Sequence, residues 1–242
     1  MKNTFSILVL IFSPLFALPQ SQIVNEEIEL IETFHSVNLN SRYNVYLKQS
    51  NETKIEVKAL KEFLDISEFT VEDGVLNIDI ERDEKDKSIW EQIDDIKIAP
   101  KLDVYLSMQE VKAISVNGNG KLVSKNSISS NTLTLNISGS GTLELDIKGK
   151  DLSINNSGNG LIKLKGYANH VNLEQSGYGK IEAFDLDLKT AIAKSTGSGD
   201  VEISVSQDLK AYVYGDSTIK FKGNTKEVKK KEYGSGKVER TY

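Results

Sequence analysis

Apolar residues recur at every second position in short runs along most of this chain, and the runs themselves repeat. One run reads Leu133, Leu135, Ile137, the next Leu152, Ile154, Asn156, and a third Val171, Leu173, Gln175, with polar residues between. Further along each repeat a second column holds one medium aliphatic: Leu122, Leu143, Ile162, Ile181, Val201, Ile219 and Val238. The next inward place reads Leu145, Leu164, Ala183, Ile203 and Phe221, while Glu144, Lys163, Glu182, Glu202 and Lys220 stand between the two columns. Period-two alternation of this kind predicts half-buried strands.

A glycine step separates the two strand signals. It reads Gly118-Asn119-Gly120, Gly139-Ser140-Gly141, Gly158-Asn159-Gly160, Gly177-Tyr178-Gly179, Gly197-Ser198-Gly199, a degraded Gly215-Asp216-Ser217, and Gly234-Ser235-Gly236. First glycines are 21, 19, 19, 20, 18 and 19 residues apart, the self-similarity of a repeat architecture. A tight bend repeated in register needs residues that tolerate positive φ and let neighbouring coils approach. One turn is therefore expected to be strand, Gly-x-Gly corner, strand and short loop, with coils stacked about 4.8 Å apart. The fold class follows: all-β, a single-stranded parallel β-helix, or solenoid. Asn117, Ser138, Ser157, Ser176 and Thr196, then Tyr214 and Tyr233, precede the first glycine of each step. These side chains are expected to bond the turned backbone or one another, and the two tyrosines to stack on the terminal coils.

Residues 22–110 lack the glycine step and read as a β-rich N-terminal part of the same domain, ahead of repeats over 111–242. Val37-Asn38-Leu39, Val45-Tyr46-Leu47 and Ile55-Glu56-Val57 are strand-like. Phe69-Thr70-Val71, Asp73-Gly74 and the alternating run 75–80 form a hairpin signal, Asp-Gly being a favoured two-residue turn. Residues 61–66 suit a single helical turn, and the charged run 81–95 a projecting loop that carries Trp90. This part is expected to cap the open end of the solenoid and flank it with a small sheet.

The corners, together with the closing stretch Tyr214-Gly215-Asp216-Ser217-Thr218-Ile219-Lys220-Phe221-Lys222-Gly223-Asn224, resemble the head GIN domains, a bacterial family described as auto-transporter adhesin heads. The resemblance continues upstream through Phe34-His35-Ser36-Val37, the Asp73-Gly74 hairpin and Leu102-Asp103-Val104-Tyr105-Leu106. It implies a right-handed β-helix, the hand that parallel crossovers generally prefer, exported by bacteria of the Bacteroidetes type. Ser107-Met108 and Thr225 stand where the family usually has proline.

Composition narrows the function classes. The 242 residues contain no cysteine, which rules out disulfides, thiolate metal sites and a lipidated cysteine. A formal charge of −5 with interspersed signs gives no footprint for nucleic acid and no polybasic membrane patch. Met1-Lys2 followed by a largely apolar run over 5–18 reads as a secretory signal within residues 1–21, cleaved between 17 and 22, with an uncleaved anchor as the alternative. No later apolar stretch approaches 18 residues, so no transmembrane segment is expected in the mature chain, which is placed in the periplasm, on the outer-membrane surface or outside the cell.

Catalytic signatures are sparse. His35 and His170 have nothing metal-like around them, and His170 falls in an expected loop between repeats. The glycine steps lie between strands and lack the following helix of a phosphate-binding loop. Calcium β-rolls use nine-residue units with an aspartate in each, whereas the matching places here hold Lys121, Thr142, Leu161, Lys180 and Asp200. No metal or cofactor is expected. Some single-stranded β-helices cleave acidic polysaccharides, so a lyase or hydrolase is the third alternative, with Glu144, Glu182 and Glu202 as outward acids; a solvated, salt-bridged face is the plainer reading.

Binding is the function the sequence supports best. A rigid ladder presents side chains at fixed spacing, and aromatic residues on it can stack on sugar rings or anchor protein partners. The ligand-binding candidates are Trp90, Tyr178, Tyr212, Tyr214 and Tyr233. The expected role is that of an exported, non-catalytic adhesin recognising a cell-surface or matrix glycan or protein. A structural, self-assembling envelope protein is the alternative.

Overall fold

The computed structural model describes residues 22–30, 32–80 and 102–242, so the expected leader and the loop with Trp90 lie outside the described residues. The N-terminal part contributes β1 (Ile23–Glu27), β2 (Ser36–Leu39), β3 (Asn44–Gln49), β4 (Lys54–Leu60), the one-turn helix α1 (Lys61–Leu64), β5 (Ser67–Glu72), β6 (Val75–Ile80) and β7 (Leu102–Met108). The repeats contribute β8 (Ala113–Val116), β9 (Lys121–Ser124), β10 (Ile128–Ile137), β11 (Thr142–Asn156), β12 (Leu161–Gly177), β13 (Lys180–Gly197), β14 (Asp200–Gly215), β15 (Thr218–Lys222), β16 (Glu227–Tyr233) and β17 (Lys237–Arg240). Together they form a β-solenoid of about seven turns.

Parallel pairing places equivalent residues of successive repeats on top of one another. Leu122, Leu143, Ile162, Ile181, Val201, Ile219 and Val238 make one continuous inward column. Leu133, Leu152, Val171, Ala191 and Leu209 make another on the facing ladder. Side chains from both ladders meet in a single core in which every member of these two columns is almost fully buried. Burying one such aliphatic side chain contributes about 1.5–3 kcal/mol.

The chain bends at the glycine steps. Successive bends nest closely: a Cβ on Gly158 would stand 2.3 Å from the Gly139 carbonyl oxygen of the coil below, so no larger residue fits. Between glycine steps the outcome differs from expectation. In four turns the short loop is not a loop, because β11, β12, β13 and β14 run as single strands of 15, 17, 18 and 16 residues, whereas residues 125–127 and 223–226 do form loops between β9 and β10 and between β15 and β16. The chain turns inside these strands, as at Gly166 with φ 105°, but the adjacent coil turns at the same place and the ladder bonds continue through it. His170 therefore lies in β12, with Nδ1 2.8 Å from Thr190 Oγ1, rather than in a loop.

The N-terminal strands are more than a cap. β2 pairs in parallel with both β8 and β6, and β3 with both β9 and β7, so they form a coil inside the stack despite lacking the glycine step. Stacking order departs from chain order here, since β2 and β3 lie between β6 and β7 on one side and β8 and β9 on the other. Antiparallel pairs close this end: β4 on β7, β1 on β4, and β5 on β6 through the Asp73-Gly74 turn, where both residues have positive φ (50° and 75°). Tyr43 fills the core beneath, its hydroxyl 2.8 Å from Ser67 Oγ, and burial pushes its pKa up.

One interior column is polar. Asn156, Gln175 and Ser195 follow Leu39, Val116 and Ile137 in the same inward place, all buried. At the far end, β16 places Lys230 over Ala211, in a column that is otherwise apolar, and Glu232 over Val213, in the column of Asn156, Gln175 and Ser195. Glu232 Oε1 accepts from the Val238 amide at 2.7 Å and from Lys230 Nζ at 3.3 Å. Inward charges of this sort blunt an edge that could otherwise pair with another chain.

Candidate functional site

The two faces of the solenoid differ in chemistry. On the face carrying β2, β8, β10 and the C-terminal halves of β11 to β14, the outward side chains of the first coils are short and polar. One column runs Asn77, Asn38, Ser115, Asn136, Asn155. It is a hydrogen-bonded ladder in its parts: Asn38 Nδ2 donates to Asn77 Oδ1 at 3.0 Å, Asn136 Nδ2 to Ser115 Oγ at 3.2 Å, and Asn155 Nδ2 to Asn136 Oδ1 at 2.9 Å. A flanking column holds Ser36, Ala113, Thr134, Ser153 and Asn172. On the other flank Asn117 Nδ2 donates to Asn40 Oδ1 at 2.8 Å, and Ser138 Oγ to Asn117 Oδ1 at 2.9 Å. The expected bonding before the first glycine is thus present between these side chains, whereas Ser157 and Thr196 turn instead to the carbonyls of Ile137 and Gln175.

Further along the same face the ladder gathers three of the five aromatic candidates, and a fourth stands on a nearby bend. Tyr212 lies between Lys194 and Lys231 in the column that began with the asparagines. Tyr214 and Tyr233 stack with centroids 5.0 Å apart and planes 6° from parallel, the pair expected from sequence. Tyr178 projects from a bend two coils before Asp216, about 10 Å along the axis from the level of Tyr214. Its ring is 77% exposed, against 53% for Tyr233 and 40% for Tyr214. Trp90 lies outside the described residues.

The opposite face is charged and internally neutralised. Glu144, Lys163, Glu182, Glu202, Lys220 and Glu239 follow one another in one outward column. Lys121 holds Glu144 at 2.7 Å, Lys163 and Lys180 hold Glu182 at 3.2 and 3.0 Å, and Lys180 also reaches Glu202 at 3.5 Å. The one like-charge step, Glu182 to Glu202, is thereby bridged by a lysine. A groove of about 680 Å³ runs over these residues, with Lys222 placed over the Phe184 ring at its end. A general acid needs a carboxyl held above its usual range. The Lys180 ammonium beside Glu182, helped by Lys163, instead holds that carboxyl below it. The salt-bridged reading of Glu144, Glu182 and Glu202 describes this face. Among the described residues, no group of three His, Asp or Glu side chains could hold a metal ion.

Sequence reasoning missed two features. The asparagine column stands three places before the first glycine of its repeats, at Ser115, Asn136 and Asn155, a spacing as regular as that of the apolar columns but invisible to a search for charge and aromatic rings. Tyr46 and Tyr105, stacked at 5.1 Å on the charged face with Lys125 over Tyr46, have no repeat to mark them.

Residues 33–225 match the family model described as "Putative auto-transporter adhesin, head GIN domain", and the chain belongs to that family. No curated protein sequence matches it. Among solved structures it is similar to one named a putative adhesin from Bacteroides fragilis, with 21% identity, TM-score 0.81, and 92% of this chain and 99% of that one covered. A structure from Parabacteroides distasonis, named a putative lipid binding protein, has 21% identity, TM-score 0.72, and 91% and 97% coverage. A putative adhesin from Parabacteroides merdae has 21% identity, TM-score 0.64, and the same coverage. At these identities the likeness speaks for the fold. Among the described residues no helix is long and apolar enough to cross a membrane.

Proposed function

We propose that this head GIN domain protein is an exported binding protein of adhesin type, without catalytic activity, and that it meets a surface partner through the face carrying the asparagine ladder. The observation behind this reading is the placing of Tyr212, Tyr214 and Tyr233 on adjacent coils of that face, with Tyr178 exposed on a bend two coils before Tyr214. Exposed tyrosines combine apolar area with a polar tip at small entropic cost, which suits contact with sugars or proteins. The family's adhesin description and the leader-like run over residues 5–18 support export.

Enzymatic action has less support, since the acids of the charged face are engaged by lysines. A lipid ligand, suggested by the name of the Parabacteroides distasonis structure, would need an apolar opening, whereas the groove of the charged face is lined mainly by charged side chains. The test is binding of the mature protein to intact target cells and extracellular matrix, with Tyr178→Ala and Tyr212→Ala beside the native chain. Weaker binding by variants of unchanged melting temperature is expected; equal binding would move the contact to another face.

A further inference from the structure

We propose that the asparagine-lined half of the ladder face, from β2 to β11, is a site for a neutral saccharide chain lying along the stack. This rests on the reading of the ladder face as the contact surface and names the ligand class for its N-terminal half.

The first observation is charge. In a chain that is 27% charged, the outward asparagine column carries no ionic group until Glu174 follows Asn155, and Asp151, outward at the edge of the field on β11, is paired with Lys150 at 3.9 Å. An anionic or cationic ligand laid there would lose water without gaining a counter-charge, a costly exchange. Charge complementarity therefore selects an uncharged partner. Protein partners generally rely on buried aromatic or arginine anchors, and on this face the aromatic positions begin only at Tyr178.

The second observation is preorganisation. A side-chain amide has two donors and two lone pairs. Asn136 uses one N–H toward Ser115 and one lone pair toward Asn155, so one donor and one acceptor remain on a group whose rotamer the ladder already holds. Binding to such groups costs little further ordering. Sugar hydroxyls, each both donor and acceptor, suit this alternation, and repetition at about 4.8 Å per coil lets a polymer meet several coils at once.

The experiment is affinity electrophoresis of the mature chain in gels containing dextran, mannan or mixed-linkage β-glucan, with polygalacturonate as the acidic comparison. Asn155→Asp and Thr134→Lys place charge in the field, and Glu144→Gln on the opposite face serves as control, all checked by circular dichroism melting. Retardation by a neutral polymer that persists in salt, weakened about tenfold by each field variant as for loss of a neutral hydrogen bond or two, and unchanged in Glu144→Gln, is the expected result. Retardation by polygalacturonate alone, or neutral binding that ignores both field variants, overturns the proposal. If no polymer retards the chain while cell binding still depends on Tyr212, the saccharide assignment falls and the adhesin reading stands; loss of both removes both.

Discussion

Ser217 and Ser195 are both fully buried, and neither hydroxyl has a hydrogen-bond partner. In the other coils the second glycine of the step faces the last inward side chain of the coil below: a Cβ on Gly160 would stand 2.3 Å from Ile137 Cγ2, on Gly199 2.8 Å from Gln175 Nε2, and on Gly236 2.4 Å from Val213 Cγ1. Continued to the coil between, this pattern assigns Ser217 the place above Ser195, the smallest member of that inward column. What reads in the sequence as a degraded corner is a size match between two positions 22 residues apart.

Enlarging the lower partner should therefore clash with the upper one. Ser195→Val is expected to destabilise the fold by about 1–3 kcal/mol through overpacking, and Ser217→Gly to restore most of that loss. Denaturant unfolding of the two single variants and the double variant measures the coupling; independent, additive effects would contradict the size match.

Tyr178 should matter for contact and little for folding. Its ring is 77% exposed, so Tyr178→Ala is expected to shift stability by no more than about 0.5 kcal/mol. In contrast, Tyr214→Ala should lose a stack worth about 0.5–1.5 kcal/mol with Tyr233. Melting curves of both variants distinguish the two roles.

Acid should weaken the charged face. Glu182 is held below the ordinary carboxylate range by Lys180 first and by its bonds to Lys163, so it contributes stability above its unfolded pKa that is lost as pH falls through the folded value. Both side chains are about a third exposed or more, so the contribution is about 0–1 kcal/mol. Below about pH 4 the native chain should lose stability faster than Glu182→Gln, read from melting temperature against pH. Lys180, raised chiefly by its bond to Glu182, acts in the opposite limb: its contribution is complete below the unfolded lysine pKa and fades as pH rises through the folded one.

The last coil should resist self-association because of its inward charges. Replacing Lys230 and Glu232 together by valine sets two apolar side chains over Ala211 and Val213 at an open edge. The double variant is expected to sediment as larger species with rising concentration than the native chain does. Equal behaviour would show that the ion pair does not guard this end.

Local patterning made much of the fold legible, because each repeat carries its own alternation and its own glycine step. The aliphatic column from Leu122 to Val238 and the stacked Tyr214 and Tyr233 follow from the repeat alone. The continuous strands in place of loops do not, since whether a turn breaks a strand depends on the neighbouring coil turning in the same place.

By itself, the sequence determined the solenoid and its inward columns, both of which depend on separations of one repeat. Tertiary structure decided what the repeat does not encode: the coil of β2 and β3 inserted out of chain order, the lysine that bridges Glu182 and Glu202, and the division into a face that opens with an asparagine ladder and a neutralised charged one. Those outcomes depend on which distant residues the register sets about one coil apart, and side chains of opposite or like character interact only once stacking has placed them there.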